Sequence, residues 1–549
     1  MRNKLLHLPV LVLLFLAATA AAAATTEVKK EQERISGRIP SGTTMVRYGE
    51  VECLTVPNSV FESAVLSTMA GISKILSMVS GFGSYFGDFR VSNAINDCLD
   101  LLDLSNDELS RTLSASQTGK SYGTGRTAVD LKTWLSAALF NQDTCIDGFD
   151  GTSGFFKQIV IEGLNQVSSL VREVLYMVHD VPGPPASSRG GNPGTGGRGG
   201  GGRRLMSDGK ESFPYWISSK DRKLLQTTTT VVPDAVVALD GTGNYTSVMD
   251  AVSAAPDHGT KRFVIYVKKG VYNEYVDIKR KKTNIMVYGD GMDVTVITGN
   301  RSNAGGWTTY RSATFAVTGS GFIARDLTIL NTAGPENHQA VAFRSDSDLS
   351  ALYRCAFRGY QDTLYTHANR QFYRECTITG TVDFIFGDAV AVFQNCLIVA
   401  RKGLPNQKNT VTAQGRKDPG EISGFSIQFC NITGDPDLLT QSPVNATQTY
   451  LGRPWRPYSR TVIMQSYIGN VVMPQGWLEW NGNMSLDTLF YAEWMNSGPG
   501  SALGSRVKWP GYHMFNNSIQ ATNYTVAEFI GGNLWLPQTG VRYSAGLNV

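Results

Sequence analysis

The sequence predicts two folded units of opposite class, an all-α four-helix bundle followed by an all-β parallel β-helix. Three observations point there: helical apolar stripes before residue 180, short strand-like repeats after residue 230, and a glycine-rich break between them. At 549 residues the chain is too long for one ordinary domain.

The N-terminus comes first. Arg2 and Lys4 precede an apolar run from Leu5 to Leu16, which ends in the small residues Ala17 to Ala24. A charged start, a hydrophobic middle and a small-residue exit read as a secretory signal over residues 1–24. No later segment reads as a membrane-spanning helix, so no membrane contact is expected once the signal is removed. Seven N-glycosylation sequons (Asn244, Asn300, Asn431, Asn445, Asn483, Asn516 and Asn523) fit an exported chain.

In residues 43–180 the period is helical. Val91, Ile95, Cys98, Leu99 and Leu102 fall on one helical face, and Val160, Leu164, Val167, Val171, Val174 and Val178 repeat the stripe. Residues 59–80 and 127–145 also read as helices, which makes an up-and-down bundle. Cys98 lies on the buried stripe of its helix and Cys145 closes the next, so a disulfide joining the two helices is expected.

Residues 183–225 form a linker. The stretch 183–202 holds ten glycines and no apolar periodicity. Arg203-Arg204-Leu205-Met206 and Arg222-Lys223-Leu224-Leu225 follow, two dibasic sites where a processing protease is expected to cut.

Residues 226–549 change to strands. Cys355-Ala-Phe357, Cys376-Thr-Ile378, Cys396-Leu-Ile398 and Cys430-Asn-Ile432 share a frame with Leu327-Thr-Ile329 and Ser466-Tyr-Ile468. Repetition near 20 residues, strand-rich and with inserted loops, predicts stacked parallel coils about 4.8 Å apart. Equivalent cysteines on adjacent coils then fall within the roughly 4.4–6.8 Å Cα separation of a disulfide. Either Cys376–Cys396 alone or Cys355–Cys376 with Cys396–Cys430 would satisfy that spacing.

The same register places chemistry. Asp362 and Asp383 each lie seven residues past a repeat cysteine. Coils in register would therefore stack the two carboxylates one above the other. Like charges that close push one pKa up, making an acid, while the other needs a cation to stay ionised. A net charge of +4 excludes nothing but a strongly basic nucleic-acid binder, and no C-x-x-C pair suggests a metal site.

Gly289-Asp290-Gly291, His338-Gln339-Ala340-Val341, Gly359-Tyr360-Gln361-Asp362-Thr363-Leu364-Tyr365, Thr381-Val382-Asp383-Phe384-Ile385-Phe386-Gly387 and Leu451-Gly452-Arg453-Pro454-Trp455 occur in that order. Together they closely resemble the motif set of plant pectin methylesterases. The resemblance implies a right-handed parallel β-helix that removes methyl groups from cell-wall homogalacturonan. It implies Asp383 as nucleophile and Asp362 as proton donor. Gln361 and Gln339 would stabilise the oxyanion, Arg453 would orient Asp383, and Thr309, Gln339, Arg453 and Trp455 would contact substrate. It implies no metal and no organic cofactor.

The helical region, with Leu131-Lys132-Thr133-Trp134-Leu135 and Asn141-Gln142-Asp143-Thr144-Cys145, resembles the pectin methylesterase inhibitor family. That family usually has an early cysteine pair, whereas here Val60 stands where a partner for Cys53 should be, leaving Cys53 free. The resemblance implies an inhibitor-like or folding-assisting pro-region, and inhibitor proteins of the same family become candidate partners. A secreted, cell-wall location follows. The competing readings are a pectin-binding β-helix without activity and a polysaccharide-cleaving one, since paired carboxylates also serve retaining glycosidases. G-x-S-x-G is absent, which argues against a serine esterase.

Overall fold

A computed structural model describes residues 53–81, 87–118, 123–152, 155–179, 232–441 and 447–547. The signal segment, the linker with both dibasic sites, and Asn445 lie outside the described residues.

Among the described residues, four helices precede the linker: α1 (Asn58–Ser80), α2 (Phe89–Thr118), α3 (Thr127–Gly148) and α4 (Phe155–Tyr176). Their apolar stripes meet in one core that includes Phe61, Ile72, Ile95, Leu102, Leu135, Leu164 and Val171. The Cys98–Cys145 disulfide joins α2 to α3. Cys53 is a free, half-buried thiol.

Against expectation, α1 is long and apolar enough to cross a membrane by length and composition, with a mean hydropathy of 1.3. Its apolar face has a different use: Phe61, Val65, Ile72, Ile75 and Val79 are buried in the bundle.

The second unit is a right-handed parallel β-helix. All strand pairs among its two sheets, one of 17 strands and one of seven, are parallel. Each coil bends at a residue with positive φ, between 48° and 58° at Asp326, Arg354, Glu375, Asn395, Phe429, Gln465 and Met495. At the first six bends the residue that follows is buried, and four of these are cysteines. Inside, Phe315, Phe343, Phe357, Tyr373, Phe393 and Phe425 stack along the axis with neighbouring rings 4.8–6.1 Å apart.

The cysteine column is in register but unbonded. Ala356 pairs with Thr377, Thr377 with Leu397, and Leu397 with Asn431, which aligns the preceding Cys355, Cys376, Cys396 and Cys430. All four are buried free thiols, so neither expected pairing forms. Backbone spacing was the wrong criterion. In-register parallel strands hold their Cα–Cβ bonds side by side, so the Cβ atoms stay about 4.8 Å apart, beyond the roughly 3.5–4.5 Å of a disulfide.

Between the units, α3 is buried on nearly every side, including Leu131, Trp134, Leu135, Leu139 and Phe140. Bundle and β-helix share one apolar cluster there, joined through Tyr310, Val341, Tyr365, Phe386 and Ala413. A polar network reinforces the contact. Buried Arg370 grips Asp348 at 2.9 and 2.6 Å on its own unit and also bonds Asp130 of α3, while Trp134 Nε1 donates to Asp348 at 3.1 Å.

Candidate active site

The seven-stranded sheet carries the site. In it Leu364 pairs with Ile385, so Asp362 and Asp383, each two residues earlier, occupy matching positions on adjacent coils. The Asp362 backbone N–H donates to the Val382 carbonyl at 3.0 Å, which fixes the coils at that level. Both aspartates have left-handed backbones, φ 62° at Asp362 and 51° at Asp383. Aspartate tolerates that region better than most L-residues. Asp383 stands at the turn that enters strand Ile385–Gly387. Phe384 goes into the core while both carboxylates line a cleft. Gly387, at φ 121°, closes the motif because a Cβ there would lie 2.1 Å from the Thr366 carbonyl oxygen.

The two carboxylates are treated differently. Arg453, directly after strand Thr449–Gly452, donates to both oxygens of Asp383, from Nε at 2.8 Å and from Nη2 at 2.7 Å. Such charge-assisted, two-pronged pairs are the strong class of hydrogen bond. Thr410 adds a second hold: its hydroxyl accepts from the Asp383 N–H at 2.9 Å and donates to Oδ1 at 2.6 Å. Asp362 has no hydrogen-bond partner for its carboxyl among the described residues. Burial, then the charge of Asp383, pushes its pKa well above the usual carboxylate range despite Arg453 nearby. One carboxylate is clamped by a cation and a hydroxyl, and the other is buried and favours its protonated form.

The cleft, about 560 Å³, is lined by Thr309, Gln339, Gln361, Asp362, Asp383, Arg453 and Trp455. Every predicted catalytic and substrate-contact residue thus meets in one cavity. Its aromatic side is Tyr365 stacked on Phe386 at 4.1 Å, with Trp455 edge-on to Phe386 at 5.9 Å. The opposite wall belongs to the helices: Arg90 of α2, Thr144, Asp147 and Gly148 of α3, and the following Asp150 and Gly151. Phe140 of α3 packs edge-on against Trp455 at 5.8 Å, and Asp147 accepts from Arg456 at 2.6 Å across the opening.

Residues 234–533 match the family model described as Pectinesterase, and residues 48–177 match that of the plant invertase/pectin methylesterase inhibitor. The chain belongs to the pectinesterase family. Among its relatives is the pectinesterase/pectinesterase inhibitor PPE8B of Prunus persica, 60% identical over 91% of this chain and 92% of that protein. Probable pectinesterase/pectinesterase inhibitor 32 of Arabidopsis thaliana is 59% identical over 91% and 93%. The solved pectin methylesterase from carrot superposes with a TM-score of 0.57 at 51% identity, covering 58% of this chain and 100% of its own.

Against that pectinesterase background, two residues escaped the sequence reading. Thr410 holds Asp383, and Trp480 lies 4.2 Å from the Arg453 guanidinium, its ring completing the cleft rim. Neither sits in one of the five ordered motifs. Thr410 comes level with Asp383 only through the folded register, in which Ile385 pairs with Thr412 on the next coil.

Proposed function

We propose that the chain demethylesterifies homogalacturonan through an aspartate nucleophile. Asp383 attacks the ester carbonyl carbon of a methylated galacturonate. The tetrahedral oxyanion is met by the side-chain amides of Gln339 and Gln361. Asp362 gives its proton to the departing methoxy oxygen, releasing methanol and leaving an acyl bond between Asp383 and the sugar. Asp362, now a carboxylate, takes a proton from water as that water attacks the acyl carbon. The products are a free galacturonate carboxylate and the original Asp383. Arg453 positions Asp383, while Trp455 and Thr309 hold the sugar.

The observation that carries this reading is the asymmetry of the pair: stacked aspartates, one clamped by Arg453 and Thr410, the other buried with a raised pKa. A pure binding module would have no use for it.

The helical unit acts as a built-in inhibitor, because α3 supplies one wall of the cleft and sets Phe140 against Trp455. Export directs the chain to the cell wall, where cleavage at Arg203-Arg204 or Arg222-Lys223 releases the restraint. The test is methanol release from highly methylated pectin by the linker-cleaved chain, beside Asp383→Asn. Release by the first and none by the second is expected. A folded, cleaved wild-type chain that releases no methanol would overturn the proposal, as would wild-type turnover by Asp383→Asn.

A further inference from the structure

The sequence Lys279-Arg280-Lys281-Lys282 is a basic run that the catalytic site does not use. In the fold, Lys279 shares the partner Asp100 with Arg311, which directly follows the cleft residues Thr308, Thr309 and Tyr310, and Arg280 pairs with the next turn of the same helix. Four carboxylates of α2 cover this strip. Asp97 and Asp100 reach Arg311 at 2.5 and 2.8 Å, Asp100 reaches Lys279 at 3.5 Å, and Asp103 and Asp107 reach Arg280 at 2.8 and 2.9 Å. Asp277 of the β-helix also pairs with Lys279 at 2.8 Å. Among the described residues, Arg280 and Arg311 have no ion-pair partner from the β-helix itself.

The four aspartates are spaced three, three and four residues apart, which puts them in a row on one face of α2. A three-residue step advances about 4.5 Å along the axis. The strip is therefore occupied by carboxylates presented at short intervals along one side of the helix. A de-esterified galacturonan offers the same chemistry, one carboxylate per sugar along a linear chain.

We propose that Lys279, Arg280 and Arg311 form a subsite for the free-carboxylate stretch of homogalacturonan, and that the acidic row of α2 occupies it as a mimic until the helices leave. The ligand class rests on the pectinesterase reading; the cations and their occupant do not. Lying next to the cleft, the strip holds the polymer by its demethylated part while methylated sugars enter the site. It makes binding sensitive to salt, as contacts between exposed charges are.

The experiment uses the full chain carrying Asp383→Asn, so that turnover does not alter the polymer. Affinity for polygalacturonate and for fully methylesterified pectin is measured at low and high salt, with and without Asp100→Asn, Asp103→Asn and Asp107→Asn together. Asp97 is left intact because it is buried. The neutralised chain is expected to bind polygalacturonate at least about tenfold more tightly, with affinity falling as salt rises. Adding Lys279→Gln and Arg280→Gln should remove that gain. The proposal is overturned if neutralisation brings no gain, if the gain survives loss of the two cations, or if methylated pectin gains equally. Methanol release by the same chains with Asp383 restored is recorded separately, so failure of the esterase reading and failure of the subsite fall on different assays.

Discussion

Asp362 and Asp383 stand at the same register position of adjacent coils, yet Arg453 grips only Asp383. Two equivalent backbone positions thereby acquire different partners: one carboxylate is clamped, and the other is buried with its pKa raised. The difference comes from what surrounds the stack, since the side chains are the same. Arg453 and Thr410 come from later parts of the chain and approach one carboxylate, leaving the other to burial and to its neighbour's charge.

Asp362→Asn separates catalysis from stability. Its raised pKa means that stability is intact at low pH, where the acid is neutral in both folded and unfolded states. That stability is lost as pH rises, because the unfolded chain ionises more readily. A neutral amide escapes the loss. The variant is expected to release methanol at least about 100-fold more slowly, as removal of a general acid does. Its Tm should exceed wild type at pH 7 and match it near pH 3, with each kcal/mol regained worth about 2–4 °C. A Tm below wild type at both pH values would refute the account. Calorimetry at the two pH values, beside a methanol assay, decides it.

Thr410→Val keeps the side-chain shape and removes the hydroxyl that donates to Asp383 Oδ1 and accepts from its N–H. A hydrogen bond to a charged group contributes about 1.5–3 kcal/mol. The expected loss in kcat is therefore roughly 10- to 150-fold, with KM little changed. Thr410→Ser, which keeps the hydroxyl, should restore most of it. An unchanged kcat in the valine variant would show that Arg453 alone positions Asp383.

The legible and illegible parts of this fold differ in physical kind. The stacked aspartates could be read because the repeats carrying Asp362 and Asp383 have equal spacing from their cysteines, so register follows from counting. Thr410 could not, because it lies 27 residues past Asp383 and an inserted loop breaks the count. The cysteine pairing was misread because Cα spacing says nothing about side-by-side Cβ vectors. Placement of the bundle over the cleft was missed, although α3 held a clue. Phe140 falls on the side of that helix opposite the stripe of Leu131, Trp134, Leu135 and Leu139, and apolar side chains on opposite sides of a helix call for cover on both. What covers it depends on the shape of the partner surface, which no local pattern carries.

The unbonded cysteine column predicts a thiol count. Cys355, Cys376, Cys396 and Cys430 are buried, and burial holds the Cys376 and Cys430 thiols well above their ordinary pKa. Burial shields all four from an aqueous thiol reagent in the native chain, so they should resist it even though hydrogen bonds from Cys376 and Cys430 pull the Cys396 thiol down. Half-buried Cys53 should react slowly. In denaturant without reductant all five free thiols should react, with only Cys98 and Cys145 still bonded. A count of three or one under those conditions would mean that the column forms one or two disulfides.

The hold of the helices on the cleft should weaken as pH rises. Asp97 and Glu108 of α2 are buried at the contact with the β-helix, and burial raises their pKa values to about 6 and about 7. Arg311 opposes the shift at Asp97 and Arg111 opposes it at Glu108, but burial outweighs both, and Asp348 adds repulsion at Glu108. Freed into water, both carboxyls return toward the ordinary 4 or so. Docking therefore takes up protons: it is strongest below about pH 4, where both states are protonated, and is lost progressively through pH 6–7. The exposed ion pairs of Asp103 and Asp107 contribute only about 0–1 kcal/mol each and do not reverse the trend. With the linker cut, the helical unit is expected to co-elute with the β-helix at pH 5 and to dissociate at least about tenfold more readily at pH 8. Asp97→Asn with Glu108→Gln should flatten that pH dependence. Equal dissociation of the wild-type cut chain at both pH values would show that α3's apolar contact alone sets the hold.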